Sequence, residues 1–226
     1  MKKPLYFVLA VVMLALAACD FNINFGLPTA TAGPAATATT AAAASATPSS
    51  PYAWPDESGA CTLTTDDASV LYNRPSSEAQ EFSEVGAGFS AVVGGRTADG
   101  WVGFDPGIAQ AANIGVFRLR WVHFDEVSLK GACVDVSQAT WVPEPDLCYT
   151  MPMESVNVYA TSDTAASVVA TLAAQDFAAV SGFTNTGWAQ VDLGAGNTGL
   201  SGGGWMEQAA LNLNGGTCDE LPEVSP

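Results

Sequence analysis

The chain is read as all-β. It holds two small domains in tandem, each a barrel or sandwich of short strands, placed behind a low-complexity segment. Three observations carry this reading. Cysteine, tyrosine and tryptophan recur at one fixed offset between two halves of the chain. Short apolar stretches rich in Val, Tyr, Phe and Trp alternate with Gly, Asp and Asn at roughly 8–12-residue spacing. Few stretches show helical periodicity.

In chain order, Lys2 and Lys3 precede an apolar run from Leu5 to Ala18, fourteen residues long. A bilayer span needs about 20 residues, so this run has the length and flanks of a signal-peptide core. It ends Leu16-Ala17-Ala18-Cys19, which resembles a bacterial lipobox. The resemblance implies a lipoprotein signal peptide over residues 1–18, cut before Cys19, with Cys19 lipidated on sulfur. One acyl chain binds membranes only marginally, at about 10⁴ M⁻¹, and two hold stably. The expected location is therefore the cell membrane, lipid-anchored, on its extracytoplasmic side.

Residues 19–60 form the expected lipidated N-terminus and linker. From Phe21 to Pro55 there is no charged residue, and Leu27 to Pro51 holds 10 Ala, 6 Thr, 4 Pro and 3 Ser in 25 positions. With nothing aromatic to bury between Leu27 and Pro51, the expectation is disorder. A flexible linker of this length reaches on the order of 30 Å.

The repeats follow. Cys61, Tyr72 and Trp101 meet Cys148, Tyr159 and Trp188 at an offset of 87, and glycine precedes both tryptophans. Ala79, Ala87, Ala91, Val93, Gly95 and Thr97 meet Ala166, Ala174, Ala178, Val180, Gly182 and Thr184 at the same offset. A second tryptophan and a closing cysteine follow in each copy, Trp121 with Cys133 and Trp205 with Cys218. An ungapped register of this length indicates duplication.

The expected strands in copy one are Ser69–Tyr72, Phe89–Val93, Trp101–Phe104 and a long Val116–Phe124. In copy two they are Val156–Tyr159, Phe177–Val180, Trp188–Val191 and Trp205-Met206. Glu78–Val85, beside Pro75 and several serines, reads as loop.

The pattern resembles the bacterial SH3 domain family. Its motifs correspond to Val70–Pro75, Val85–Val93, Gly100–Phe104 and Trp121-Val122, and then to Val156–Ser162, Leu172–Val180, Gly187–Val191 and Gly204-Trp205-Met206. Copy one departs between Trp101 and Trp121, where the spacing is longer and no glycine precedes Trp121. The resemblance implies two SH3-like barrels, at residues 61–133 and 148–218, with a linker at 134–147 and an acidic tail at 219–226. A barrel of about 70 residues has a small core and is expected to carry a staple.

Setting Cys19 aside leaves four cysteines, which allow three pairings. The repeat register selects Cys61–Cys133 and Cys148–Cys218, one bridge per copy. Such bridges agree with export to an oxidising compartment. A four-cysteine zinc site would lack any Cys-x₂-Cys spacing.

No catalytic constellation stands out. His123 is the only histidine, and the exported cysteines are assigned to bridges, so a cysteine peptidase lacks its thiolate. Gly199-Leu200-Ser201-Gly202-Gly203 spells a nucleophile elbow. It lacks the strand–helix context and the later histidine that the motif requires. The adjacent acids Asp66-Asp67, Asp125-Glu126 and Asp219-Glu220 point apart where the chain is extended. The expectation is a protein that is not an enzyme and needs no cofactor or metal.

The candidate binding residues are Tyr72, Trp101, Trp121, Tyr159, Trp188 and Trp205, with Arg118 and Arg120. Two readings of the rings stay open: an aromatic groove for an extended peptide, as the SH3 resemblance implies, or barrel cores. The last tryptophans, Trp121 and Trp205, are expected to be partly exposed by the same resemblance. Strand alternation puts Phe117, Leu119, Trp121 and His123 on one face and both arginines on the other. The arginines could bind a carboxylate bidentately or pair with local acids. Trp141 lies in the linker and is expected to pack against one barrel.

Charge narrows the partners. The chain has 23 acids and 7 bases, and removing Lys2 and Lys3 leaves a net −18. That excludes nucleic acid, which needs clustered Lys and Arg, and repels polyanions. Copy one carries nine acids and five bases, copy two five acids and none. The expected role is a peptide-binding or adaptor lipoprotein whose partner is peptidoglycan stem peptide or an envelope protein. The rival is a structural subunit of an envelope complex with no small ligand.

Overall fold

The computed structural model describes residues 51–108, 113–214 and 216–225. The signal segment, Cys19 and the linker up to residue 50 lie outside the described residues.

Seven strands form the first lobe: β1 Thr62–Thr65, β2 Ser69–Tyr72, β3 Glu81–Val85, β4 Ser90–Arg96, β5 Trp101–Phe104, β6 Arg120–His123 and β7 Val127–Lys130. Six form the second: β8 Cys148–Thr150, β9 Val156–Tyr159, β10 Val168–Leu172, β11 Ala178–Phe183, β12 Trp188–Asp192 and β13 Gly203–Glu207. The remaining regular elements among the described residues are short 3₁₀ turns, with no α-helix.

The two sheets repeat one topology. Their orders are β3-β2-β6-β5-β4-β1-β7 and β10-β9-β13-β12-β11-β8, antiparallel throughout. The register of the duplication persists where the second lobe has no seventh strand. Leu63 pairs with Leu129 in β7, and its counterpart Thr150 pairs with Leu213 as a lone bridge.

Each hairpin before the first tryptophan is set by two residues of the repeat. Gly100 and Gly187 adopt φ of 95° and 87°, which only glycine takes without strain. The hydroxyls of Thr97 and Thr184 accept the amides of Trp101 and Trp188 at 2.9 and 3.0 Å.

Both lobes bury a core on one sheet face. Leu63, Leu71, Val93, Val102, Phe104 and Val122 fill the first. Val158, Leu172, Val180, Ala189, Val191 and Met206 fill the second. The disulfides pair Cys61 with Cys133 and Cys148 with Cys218, with Cα atoms 4.7 and 4.8 Å apart. Each ties the start of a lobe to the 3₁₀ turn after its last strand.

After that turn the chain again does the same thing twice. Gln138 pairs in parallel with Arg96 at the end of β4, and Glu223 pairs in parallel with Phe183 at the end of β11. The closing segments lie so near the sheet that a Cβ on Gly182 would sit 2.5 Å from Val224. Glycine at this position is a packing requirement.

Several expectations are corrected. Neither ladder closes on itself: each runs from one edge strand to another, so the lobes are open sheets and not closed barrels. Glu81–Val85 is a strand. It lies on the sheet edge with only Phe82 and Val85 half-buried, so its alternation is too weak to read. Val116–Phe124 is not one long strand, because Gly115–Phe117 forms a 3₁₀ turn and pairing begins at Arg120.

The first lobe also begins before Cys61. The carbonyl of Pro55 accepts the amides of Cys133 and Val134, Asp56 bridges Ala132, and Trp54 packs on the core. The described residues all fall within one compact unit, residues 46–226.

Replacing Cys61 and Cys133 together by serine opens a 72-residue loop in the unfolded chain. It should cost about 2–5 kcal/mol, read as a lower urea midpoint for the first lobe with Cys148–Cys218 intact.

Candidate functional site

The candidate residues divide into three sites. The first is a pair of perpendicular rings in each lobe. Tyr72 and Trp101 meet edge to face at 5.6 Å, and Tyr159 and Trp188 at 5.8 Å. In the first lobe this pair is roofed. His123 meets Trp101 edge to face at 5.5 Å, and the Tyr52 hydroxyl lies 3.3 Å from His123 Nε2. The Tyr52 ring presses on Gly100, where a Cβ would lie 2.3 Å from it. Trp101 is accordingly buried, while Trp188 in the second lobe is half-buried.

The second site is the outer sheet face beneath the later tryptophan. Val102 and Val122 pair and point into the core, so their neighbours Gly103 and Trp121 pair on the outer face. Trp121 is nonetheless fully buried. The chain between β5 and β6 folds back over it: Leu119 lies across Gly94, Gly95 and Gly103, and Val116 O accepts the indole N–H at 3.0 Å. Trp205 occupies the same place, opposite Gln190, and is 8% exposed. Neither tryptophan lines an exposed groove as a solvent-facing ring. Both cover the outside of a sheet, which strand alternation alone does not reveal.

The arginines do not make a joint basic spot. Because the strand starts only at Arg120, the expected alternation fails. Arg118 Nε bonds Asp105 Oδ2 at 2.8 Å in a half-exposed ion pair. This bond, then the amide of Gly107, holds the Asp105 carboxyl below the ordinary carboxylate range. Arg120 is 7% exposed and lies 4.3 Å over the Phe82 ring, donating to the carbonyl of Leu119 at 2.9 Å. Burial lowers its pKa, and the nearby Arg118 charge adds to that.

The third site is the seam between the lobes, which the sequence did not reveal. Phe117 from the first lobe packs with Tyr149, Met151 and Phe177 from the second. Trp141 stacks on Phe177 at 5.5 Å and 18°, and also meets Phe117 and Tyr149. The linker ring therefore packs against both lobes, not one. Its seat needs both at once, since the cluster takes one ring from the first lobe and two from the second.

Arg74 closes the seam. It is 3% exposed, with its guanidinium 5.5 Å from the Phe117 ring and 5.3 Å from that of Tyr149. It donates to the carbonyls of Glu144 and Asn214. Burial lowers its pKa and pushes the Tyr149 phenol up.

Open volume remains on the outer faces. A cleft of about 460 Å³ on the second lobe is lined by Ala160, Ser181, Gln190, Asp192, Gly203 and Trp205. One of about 290 Å³ lies along the seam beside Val116, Thr140, Trp141, Phe177 and Asn197. Over Trp121, where the fold-back sits, about 160 Å³ is left.

Catalytic groups do not converge on these volumes. Ser201 is exposed in the turn before β13, and His123 belongs to the ring cluster of the other lobe. Among the described residues, no group of three or more His, Cys, Asp or Glu is placed to hold a metal.

No family model and no curated protein matches the chain. Among solved structures it is similar to NlpC2 and NlpC1 from Trichomonas vaginalis, at 10% and 12% identity and a TM-score of 0.24 for each. The superpositions cover 70% and 69% of this chain and 49% and 46% of theirs, so the chain spans about half their length. Similarity at that level decides neither fold nor activity.

Two predictions follow from these contacts. Arg74→Ala strands two carbonyls and opens the seam, and should cost about 2–4 kcal/mol. In urea, the single transition of the unit should separate into two. Arg74→Met strands the same carbonyls but keeps the volume and removes the buried charge, and should lose less. Separately, the depressed Asp105 pKa means that its ion pair stabilises the fold above the unfolded carboxylate pKa. That contribution is lost as pH falls through the lowered value. Carboxyl NMR should show the Asp105 midpoint rise toward the ordinary range in Arg118→Met.

Proposed function

We propose that the chain is a non-catalytic, extracytoplasmic binding module. In this reading a lipid on Cys19 holds it to the membrane, and residues 20–50 give reach. The lobes are two variants of a bacterial SH3-like fold, and the bound partner is a peptide of the cell envelope, from peptidoglycan or from a protein.

One observation carries the binding part. The second lobe keeps a cleft of about 460 Å³ over its sheet, and the indole N–H of Trp205 has no partner there among the described residues. That N–H opens onto the cleft, where a carbonyl of a bound ligand can replace water as its acceptor. The seam supports the same role, because Arg74 and Trp141 pack the two lobes against each other. The SH3-like reading rests on the shared strand order and the Thr-x-x-Gly-Trp hairpins. Export is supported by the two disulfides, which persist in oxidising compartments. The net −18 of the processed chain favours neutral or cationic partners.

Labelling cells with an alkyne fatty acid should mark the wild-type chain and leave Cys19→Ser unmarked. The chain should also sediment with purified sacculi above a charge-matched control, or crosslink in cells to one envelope protein through the clefts. Crosslinks spread across both lobes, with the clefts untouched, would instead make it a structural subunit.

A further inference from the structure

The two lobes solve one problem differently, and the first lobe shows what the second lacks. Asp105 and Asp192 are equivalent by the 87-residue offset. Their surroundings agree one turn further, since each Oδ1 accepts the amide two residues on, Gly107 and Gly194, at 2.8 Å. Trp121 and Trp205 are equivalent on the neighbouring strand, each paired with the tyrosine of the repeat.

In the first lobe the connection between these points is three residues longer, and its residues 116–119 lie against the sheet. Its groups meet each open valence in turn. The Arg118 guanidinium takes Asp105 Oδ2 at 2.8 Å. Val116 O takes the Trp121 indole at 3.0 Å. Leu119 covers Gly94 and Gly103. The chain is thus its own occupant at this site.

In the second lobe the shorter connection carries Gly203 where the first has Leu119, and it has no base. Val224 covers Gly182, the counterpart of Gly95. The ground over Gln190, Asp192 and Trp205 stays open as the cleft of about 460 Å³. Asp192 Oδ2 and the Trp205 indole, itself 8% exposed, have no partners there among the described residues. Ser181 donates to Gln190 Oε1 at 3.1 Å, which fixes the floor.

We infer that this cleft of the second lobe binds an arginine-bearing segment of a partner peptide, which supplies the groups that Val116, Arg118 and Leu119 supply in the first lobe. The guanidinium sits on Asp192, a peptide carbonyl accepts from Trp205 Nε1, and an aliphatic neighbour lies over Gly203. Charge favours this occupant, since the second lobe has five acids and no base. The inference rests on the binding-module reading and names its ligand chemistry.

The probe is a blocked tetrapeptide with the sequence of residues 116–119, Val-Phe-Arg-Leu, alongside its Gln-for-Arg version. Both are titrated into the full chain labelled with ¹⁵N-tryptophan, whose six indoles report separately. The Trp205 indole should shift saturably with the arginine peptide. The glutamine peptide, or Asp192→Asn, should weaken binding about tenfold, as expected for a lost charge-assisted hydrogen bond. Asn keeps the oxygen that caps Gly194. Glu154→Gln, a carboxylate in a separate cleft beside Met153 and Leu211, should change nothing. Equal binding of both peptides, unchanged binding by Asp192→Asn, or no shift of any indole overturns the inference. Saturable shifts at Trp188 or Trp141 with Trp205 still also overturn it, yet leave the peptide-binding reading standing. That broader reading fails separately, in the sacculus and crosslinking experiments.

Discussion

A guanidinium taken out of water holds the two lobes together. Moving an ion into a protein interior costs several kcal/mol even after relaxation. No carboxylate neutralises Arg74 at contact distance among the described residues. Two backbone carbonyls and two aromatic faces meet it instead. Charge-assisted hydrogen bonds contribute about 1.5–3 kcal/mol each, and cation–π contacts about 0.5–2 each. Together they are of the size of that penalty. One face and the arginine itself come from the first lobe. The other face, both carbonyls and Phe177 come from the linker and the second lobe. The arginine meets all four partners only when the lobes are docked, so it fixes the docked geometry while its own burial offsets much of what those contacts contribute. The Phe117–Trp141–Phe177 cluster then adds apolar area to a geometry already specified by polar groups.

Docking matters for the outer faces. The 3₁₀ turn Gly115–Phe117 places Phe117 in the seam and, in the same turn, aims Val116 O at Trp121. Seam and fold-back are thus mechanically one element. Val116 also borders both the seam cleft and the cleft over Trp121. A change at Phe117 is therefore felt on the outer face of the first lobe without touching its core.

The parts of this structure that repeat were legible in the sequence, and the parts that occur once were not. Cys61–Cys133 and Cys148–Cys218 could be paired because the register supplied a second copy of each decision. Gly95 and Gly182, and Thr97 and Thr184, were visible as matched letters, and their reasons are now clear: room for a closing segment and a hydroxyl cap on a hairpin. Arg74 had no matched partner, since position 161 is threonine. Its contacts to Glu144 and Asn214 span 70 and 140 residues, a separation at which local pattern carries no signal. The second tryptophans failed for another reason. Alternation assigns a residue to a face but does not say whether that face is covered, and the cover on Trp121 is a fold-back that strand periodicity mistook for more strand.

Duplication makes the difference between the lobes informative. An indole on the outside of a small sheet buries on the order of 200 Å² when covered, and both second tryptophans are buried, Trp121 fully and Trp205 to 8% exposure. The first lobe covers its indole with its own chain, through Leu119 and Val116, and pairs Arg118 with the acid beside it. The second lobe carries the tryptophan and the acid without the leucine and the arginine, with Gly203 where the first has Leu119. A ligand that uses both at once would supply to the second lobe what the fold-back supplies to the first. The acidity of the chain then has a local meaning. All five bases after Cys19 lie in the first lobe, one of them inside the fold-back, so the second lobe presents the same geometry with its positive charge left for a partner to bring.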